Sequence, residues 1–159
     1  YTSKLAGTET GIKEPLSTFS RFFGEPFMPR NPNDYIKLLG EKMEKYGVEI
    51  YLVNTGWSGG PYGTGERMDI NITRQIIKAC LDGSLKNVKY HYDPMFHLNI
   101  PDTCPEVDSF ILDPINTWSN RKQFKYRAEK LAEDFSHHFD VAYGLRKIPE
   151  EVRSQCPGK

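Results

Sequence analysis

Apolar positions recur at helical spacing in three stretches of the chain and run without interruption in a fourth. Tyr35, Leu38, Leu39 and Met43, flanked by Ile36, predict a helix over 33–46, with Asn31 or Asn33 as its N-cap and Gly47 just past its end. Gly40 costs that helix about 1 kcal/mol against alanine, a cost that a close helix–sheet contact would explain. The continuous run Ile50, Tyr51, Leu52 and Val53 then predicts a buried strand over 48–54. Ile72, Ile76, Ile77, Cys80 and Leu81 give one face of a helix over 72–81, capped by Asp69 or Asn71 and stopped by Gly83. Two short strands follow, over 88–92 and 95–100. Pro101, Pro105 and Pro114 punctuate an irregular crossing. The last helix is capped by Ser119 or Asn120, carries the stripe Phe124, Ala128, Leu131, Phe135 and Phe139, and ends at Gly144.

The flanks read differently. Residues 2–20 are rich in Gly, Thr, Ser, Lys and Glu and have little period, as suits a mobile end or a flap. Phe19, Phe22, Phe23 and Phe27 form an aromatic cluster expected to pack in a core. Residues 145–159 are charged, contain Pro149 and Pro157, and predict a loosely held polar tail. The sum is an α/β fold, with helices packed on a small mixed sheet.

Composition narrows the function classes. The 159 residues suit one domain or a large piece of one, and the 38% apolar content allows a core. With 21 basic against 21 acidic residues, no charge surplus points to nucleic acid or an anionic membrane. No apolar run approaches the ~20 residues of a membrane span. Cys80, Cys104 and Cys156 are odd in number and widely spaced, which fits neither a disulfide framework nor a zinc site and suggests a reducing, cytoplasmic setting. The opening Y-T-S-K-L, without methionine or leader, reads as a chain entered part-way.

The candidate chemistry centres on residues 48–67. A β-branched run passes into a loop with Gly56, Gly59, Gly60, Gly63 and Gly65, then Arg67, then a helical pattern. Strand, glycine loop and helix start together suit an anion, most often phosphate, yet the same spacing also serves a wide structural turn. The loop is no Walker A motif, and Gly63-Thr64-Gly65-Glu66-Arg67-Met68 lacks the last glycine of a dinucleotide fingerprint. A guanidinium at Arg67 could neutralise phosphate, or pair on the surface with Glu66 or Asp69. Thr73 could meet a ligand or serve the helix's first turn. Trp57 could stack on a ring or pack. His91, His97, His137 and His138 suggest no metal site, and no carboxylate pair or cysteine–base pair stands out for catalysis.

Several words of the sequence, in order, resemble one family. They are Y-T-S-K-L-A-G-T-E-T-G-I-K-E-P-x-x-T-F-S at the start, Y-L-V-N-T-G-W at 51–57, G-x-G-E-R-M at 63–68 with I-T-R-Q-I-I behind it, and I-L-D-P-I-N-T-W at 111–118. They resemble the C-terminal part of ATP-dependent phosphoenolpyruvate carboxykinase, a lyase of gluconeogenesis, over nearly the whole chain to about residue 143. The resemblance implies that 1–144 belongs to the C-terminal nucleotide-binding domain of that fold, with 145–159 a polar tail. It implies an active-site lid within 1–20, with Gly7 and Gly11 as flexible points and Thr8 near the tip. Such a lid excludes water so that a reactive enolate meets a phosphoryl group rather than a proton. It further implies that Arg67 contacts ATP phosphate or the base-adjacent region, and that the Met68 backbone and Thr73 side chain hold the adenine end.

The implied reaction converts oxaloacetate and ATP to phosphoenolpyruvate, ADP and carbon dioxide. The family's P-loop, its Mg²⁺ on the nucleotide and its Mn²⁺ ligands fall outside this chain, so no metal-binding and no catalytic residue is expected here and the fragment alone is expected to be inactive. Its partners would be ATP, oxaloacetate or phosphoenolpyruvate, and the rest of its own chain. Glu66 departs from the family, which commonly has lysine there, and a carboxylate at that point opposes phosphate. Arg21, Phe22 and Glu25 replace smaller residues. Two alternatives stand beside this reading: a non-catalytic nucleotide- or phosphate-binding module, and a structural domain without ligand.

Overall fold

The structure is a computed structural model that describes residues 2–4, 10–11, 16–18 and 24–159. The class is α/β, as expected: helices with strands gathered, among the described residues, into three two-stranded antiparallel sheets. The chain divides into two compact units, 1–50 and 51–159.

In the first unit, β1 (Thr2–Lys4) pairs with β2 (Leu16–Thr18), with Thr2 opposite Thr18. Gly11 turns the chain between them at φ +85°, a conformation that favours glycine. Of the aromatic cluster, Phe19, Phe22 and Phe23 lie outside the described residues. Phe27, in a 3₁₀ turn over Glu25–Phe27, is 88% exposed, so the expectation of core packing fails there. Helix α1 (Pro32–Tyr46) begins where the caps predict. The Asn31 side chain accepts from the Asn33 N–H at 3.1 Å, and Pro32 takes the first helical position, where a missing N–H costs nothing. Gly47 ends it in the left-handed region, its N–H donating to the Met43 carbonyl at 2.8 Å. The apolar stripe is only partly covered, however: Tyr35 and Met43 are half-buried, Leu38 is 51% exposed, Leu39 is exposed as well, and a side chain at Gly40 would meet open space. The close contact expected at Gly40 is therefore absent among the described residues.

Residues 48–54 do not form the expected strand. Val48, Ile50 and Val53 are exposed, Leu52 is 80% exposed, and the segment joins no ladder. Its apolar, β-branched residues suit a sheet, but a strand exists only beside a hydrogen-bonded neighbour, and none of the described residues supplies one.

The second unit opens with strands β3 (Trp57–Ser58) and β4 (Glu66–Arg67) and has its core around α2 (Ile70–Leu81). Ala79 packs with Leu85, Cys104 and Val107, and Tyr51, Ile72, Ile76, Cys80, Val88 and Leu112 close around them. Asp69 caps α2, accepting from the Asn71 N–H at 2.6 Å, and Gly83 (φ +78°) turns the chain into a 3₁₀ segment, Ser84–Asn87. The two strands expected next are a hairpin of β5 (Tyr90–Asp93) and β6 (Leu98–Pro101), shifted by about two residues along the chain, with Tyr92 opposite Asn99. Two short helices, α3 (Ser109–Leu112) and α4 (Pro114–Thr117), are capped by Asp108 and Asp113. Helix α5 (Arg121–Tyr143) starts at Asn120, whose side chain accepts from the N–H groups of Lys122 and Gln123. Its predicted stripe is half-buried, with Ala128 in the stripe and Ala132 beside it buried.

The C-terminal residues are held more firmly than expected of a loose tail. After α6 (Glu150–Arg153), Cys156 is buried, and a Cβ at Gly158 would stand 2.5 Å from the Ala132 carbonyl oxygen on α5. Lys159 donates to Asp140 at 2.8 Å and lies over the Phe139 ring. Polar composition hides this docking, because one small apolar residue, one glycine and one ion pair carry it.

Two predictions follow from this packing. Leu85→Ala should destabilise by about 2–5 kcal/mol in urea unfolding, whereas Leu52→Ala should stay within about 0.5 kcal/mol. Equal losses at both would restore the buried strand. Secondly, the hydrogen bond from Lys159 holds the Asp140 carboxyl below the usual carboxylate range, aided by the positive charge of Lys159 itself. A depressed folded pKa stabilises above the unfolded value of about 3.9 and loses that contribution as pH falls through the folded one. Lys159→Met should therefore lower Tm more at pH 6 than near pH 2, where only the contact of Lys159 with the Phe139 ring is lost.

Candidate functional site

The chain enters the glycine-rich loop through an Asx turn, in which the Asn54 side chain accepts from the Gly56 N–H at 3.0 Å. A two-residue hairpin follows: β3 (Trp57–Ser58) pairs with β4 (Glu66–Arg67), Trp57 opposite Arg67 and Ser58 opposite Glu66. Between them the Pro61 carbonyl accepts from the N–H groups of Thr64 (3.0 Å) and Gly65 (2.8 Å). The glycines earn their places by backbone contact. A Cβ on Gly65 would stand 2.6 Å from the Ser58 carbonyl oxygen and closer still to that of Gly60, and one on Gly60 would stand 2.9 Å from the Gly65 nitrogen. Gly63, at φ +82°, faces open space at the tip.

The Arg67 guanidinium lies over the Trp57 ring, 4.8 Å from its centroid, and Tyr62 flanks the same indole at 5.7 Å. This stack, rather than an ion pair with Glu66 or Asp69, is the partner seen for Arg67 among the described residues. Successive strand residues point to opposite faces, so Glu66 projects away from the face that carries Arg67. The Met68 N–H donates to the Gly56 carbonyl at 3.1 Å and ties β4 back to the loop entrance. Two residues later α2 begins. Thr73 is buried in its first turns, and both its N–H (3.2 Å) and its hydroxyl (3.4 Å) point to the Asp69 carbonyl. Arg67, Met68 and the start of α2 are thus brought together by one hairpin, with Arg67 exposed and Thr73 enclosed. Of the expected lid residues, Gly11 is an exposed turn residue, while Gly7 and Thr8 lie outside the described residues.

Other titratable groups gather elsewhere. His91 Nδ1 meets Asp102 at 2.7 Å across β5 and the turn after β6. Burial pushes the thiols of Cys80, Cys104 and Cys156 up, which keeps them protonated at neutral pH. Among the described residues no three His, Cys, Asp or Glu side chains are placed to hold a metal ion, and no helix is long and apolar enough to cross a membrane.

Residues 1–110 match the family described as phosphoenolpyruvate carboxykinase. The chain belongs to that family. It is 49% identical over 157 residues to the phosphoenolpyruvate carboxykinase (ATP) of Caldanaerobacter subterraneus subsp. tengcongensis, covering 99% of this chain and 30% of that protein. The protein of the same name from Campylobacter jejuni subsp. doylei is 53% identical over 149 residues, 91% of this chain and 28% of its own length. That of Rhodopseudomonas palustris is 50% identical over 157 residues, 99% and 29% respectively. The chain therefore spans about 30% of the length of the curated relatives it matches.

Within this carboxykinase segment, residue reading missed two partners of the loop. Tyr62 completes the Trp57 cluster. Thr117, at the end of α4, accepts from the Gly59 N–H at 3.0 Å. Only the N-T-W word flagged Thr117, because a contact across 58 residues leaves no local pattern. The packing predicts that Gly65→Ala destabilises by at least about 1–3 kcal/mol, since backbone cannot move aside as a side chain can. Gly63→Asn should cost a few tenths, because asparagine tolerates positive φ. Thermal melts of the two variants check this ordering.

Proposed function

We propose that this chain is the C-terminal part of an ATP-dependent phosphoenolpyruvate carboxykinase, and that it supplies the active-site lid and one wall of the ATP site. The observation that carries the reading is the exposed Arg67, stacked on Trp57 where the glycine loop meets α2, inside the region that matches the family. The relatives' shared name, phosphoenolpyruvate carboxykinase (ATP), supports ATP as the nucleotide. The reaction is then oxaloacetate and ATP to phosphoenolpyruvate, ADP and carbon dioxide, a cytoplasmic lyase step of gluconeogenesis.

The residues present fit part of a nucleotide. Gly63 leaves the loop tip open, and Arg67 offers a cation whose planar fork matches phosphate oxygens. Stacking on Trp57 orders the guanidinium beforehand, which lowers the entropy lost on binding. Met68 would act through its carbonyl, since its N–H is bound to Gly56. Thr73, enclosed and with its hydroxyl proton directed to the Asp69 carbonyl, would contribute only the lone pairs of that hydroxyl from the first turns of α2. Bound ATP supplies the phosphoryl group that the enolate oxygen takes after decarboxylation. The segment between β1 and β2, with Gly7, Thr8 and Gly11, would exclude water from that enolate. Mg²⁺ and Mn²⁺ belong to the longer protein. The described residues offer no cluster to hold them, and no step of the reaction is assigned to this chain through a metal.

The 159-residue chain should bind ATP saturably and form no phosphoenolpyruvate from oxaloacetate. ATP at 100 times its Kd should add about 2.7 kcal/mol of stability. Arg67→Ala should weaken ATP binding about tenfold or more, as loss of a charge-assisted contact implies. Turnover by this chain would remove the claim that it is an inactive part, and ATP affinity unchanged by Arg67→Ala would remove the site.

A further inference from the structure

The glycine-rich loop is too polar and too rich in glycine to hold its own shape through apolar burial. Its β3–β4 ladder is two residues per strand, and isolated two-stranded hairpins are marginal in water. Something outside the hairpin must fix it, and the fixed point is Gly59, the residue that follows β3. Its N–H donates to Thr117 Oγ1 at 3.0 Å, and the Thr117 hydroxyl in turn donates to the Pro114 carbonyl at 2.9 Å. The hydroxyl therefore has one defined orientation, with its proton on α4 and a lone pair on the loop. The approach is close on the backbone side as well. A Cβ on Gly59 would stand 3.2 Å from the Thr117 carbonyl oxygen, and Gly59 has φ +76°, so both the glycine and its partner are specified by the contact.

Thr117 is itself well anchored. Asp113 caps α4, accepting from the Ile115 N–H at 3.2 Å, and Leu112 just before it packs on the α2 core. Trp118 just after it stacks edge-on against Phe124 of α5, 5.7 Å between ring centroids. The latch thus gives the β3 side of the loop a rigid support, as the start of α2 gives one to the β4 side. Two residues before Gly59 stands Trp57, the ring on which Arg67 lies.

We propose that Thr117 is a positioning residue, whose hydroxyl pins the glycine-rich loop and thereby sets the Trp57 face on which Arg67 is held. Its consequence for nucleotide affinity rests on the function proposed above; its effect on the loop does not. Valine and serine separate the roles of the hydroxyl and the methyl. Thr117→Val keeps the shape and removes the acceptor, leaving the Gly59 N–H unpaired, whereas Thr117→Ser keeps the acceptor.

Amide hydrogen exchange of peptides spanning 56–68 in the 159-residue chain, read with thermal melts and ATP titration, tests this. Thr117→Val should speed exchange in that segment about fivefold or more, as loss of one hydrogen bond implies, while peptides of α2 and α5 keep their protection. Thr117→Ser should exchange as the unchanged chain does. Unchanged exchange in Thr117→Val, or exchange in 56–68 already unprotected before substitution, overturns the proposal. So does a valine effect that serine reproduces. If Thr117→Val melts as a whole, the serine variant decides: protection retained there supports the hydroxyl, and protection lost overturns it. ATP affinity should fall about fivefold in the valine variant and hold in serine. A chain that shows no ATP binding before substitution removes the function reading, while the exchange result still decides the latch.

Discussion

The packing of α2 against Leu85, Cys104 and Val107 is the contact on which the rest of the 51–159 unit depends. Ala79 puts its small side chain into this cluster, which lets the helix approach the 101–107 crossing closely. Leu112 packs on the same cluster, so the start of α4 is fixed relative to α2 by one apolar contact set. That matters because α2 carries Thr73 close behind Arg67 and Met68, while α4 ends in the threonine that bonds Gly59. Both sides of the glycine hairpin are therefore referenced to one core. The core is thin, since no large side chain described falls below 2% exposure. A core built from alanine, cysteine, valine and one leucine transfers little apolar area from water, so hydrogen-bonded caps and latches carry more of the definition.

Glycine serves that definition rather than a ligand at most of the loop positions. In a phosphate-cradling loop, glycine lets main-chain N–H groups turn toward the anion. Here the Gly59 and Gly65 N–H groups are already committed, to Thr117 and to Pro61, and Gly60 and Gly65 press their backbones together. The cation that the hairpin carries is the Arg67 side chain, held on the Trp57 ring. A guanidinium on an aromatic face is suited to meeting an anion, being weakly hydrated and planar, and it retains its outer N–H donors while the ring holds it.

The three long helices were legible in the sequence because their signals are local, whereas the one-turn helices at 109–112, 114–117 and 150–153, too short to show a period, fall where an irregular crossing and a loose tail are expected. Asn31, Asp69 and Asn120 announce three starts, Gly47 marks an end, and the 3.6-residue period fills the intervals. The hairpin at 90–101 was legible to within about two residues for the same reason. The run at 48–54 was misread because its apolar pattern reports what the segment can pair with, while a strand also needs a neighbour, and no described residue provides one. The C-terminal docking and the Thr117 bond were illegible for a different reason. Each depends on one or two atoms brought together across many residues, with no period to advertise it. At the site, Arg67 stands out by its position after the glycines and Met68 only through the family resemblance, and nothing local in the sequence reveals that the Thr73 hydroxyl is turned back onto Asp69.

Glu66 shows how a two-residue strand changes a charge argument. Read linearly, a carboxylate next to the arginine cancels it and repels phosphate. In the hairpin, Arg67 sits opposite Trp57 and Glu66 opposite Ser58, so the two side chains leave on opposite faces of the ribbon. Two unit charges at 4 Å interact by about 4 kcal/mol at an effective dielectric of 20, and the energy falls inversely with separation. An anion on the Arg67 face would meet the guanidinium at contact distance and the Glu66 carboxylate only across the ribbon, through water at a higher effective dielectric. The attraction therefore outweighs the repulsion, although the linear sum of the two charges is zero. Substituting lysine for Glu66 would then add long-range attraction, screened by salt, without altering the contact that Arg67 makes. The alternation of β4, more than the identity of its first residue, decides the sign of the field at the loop.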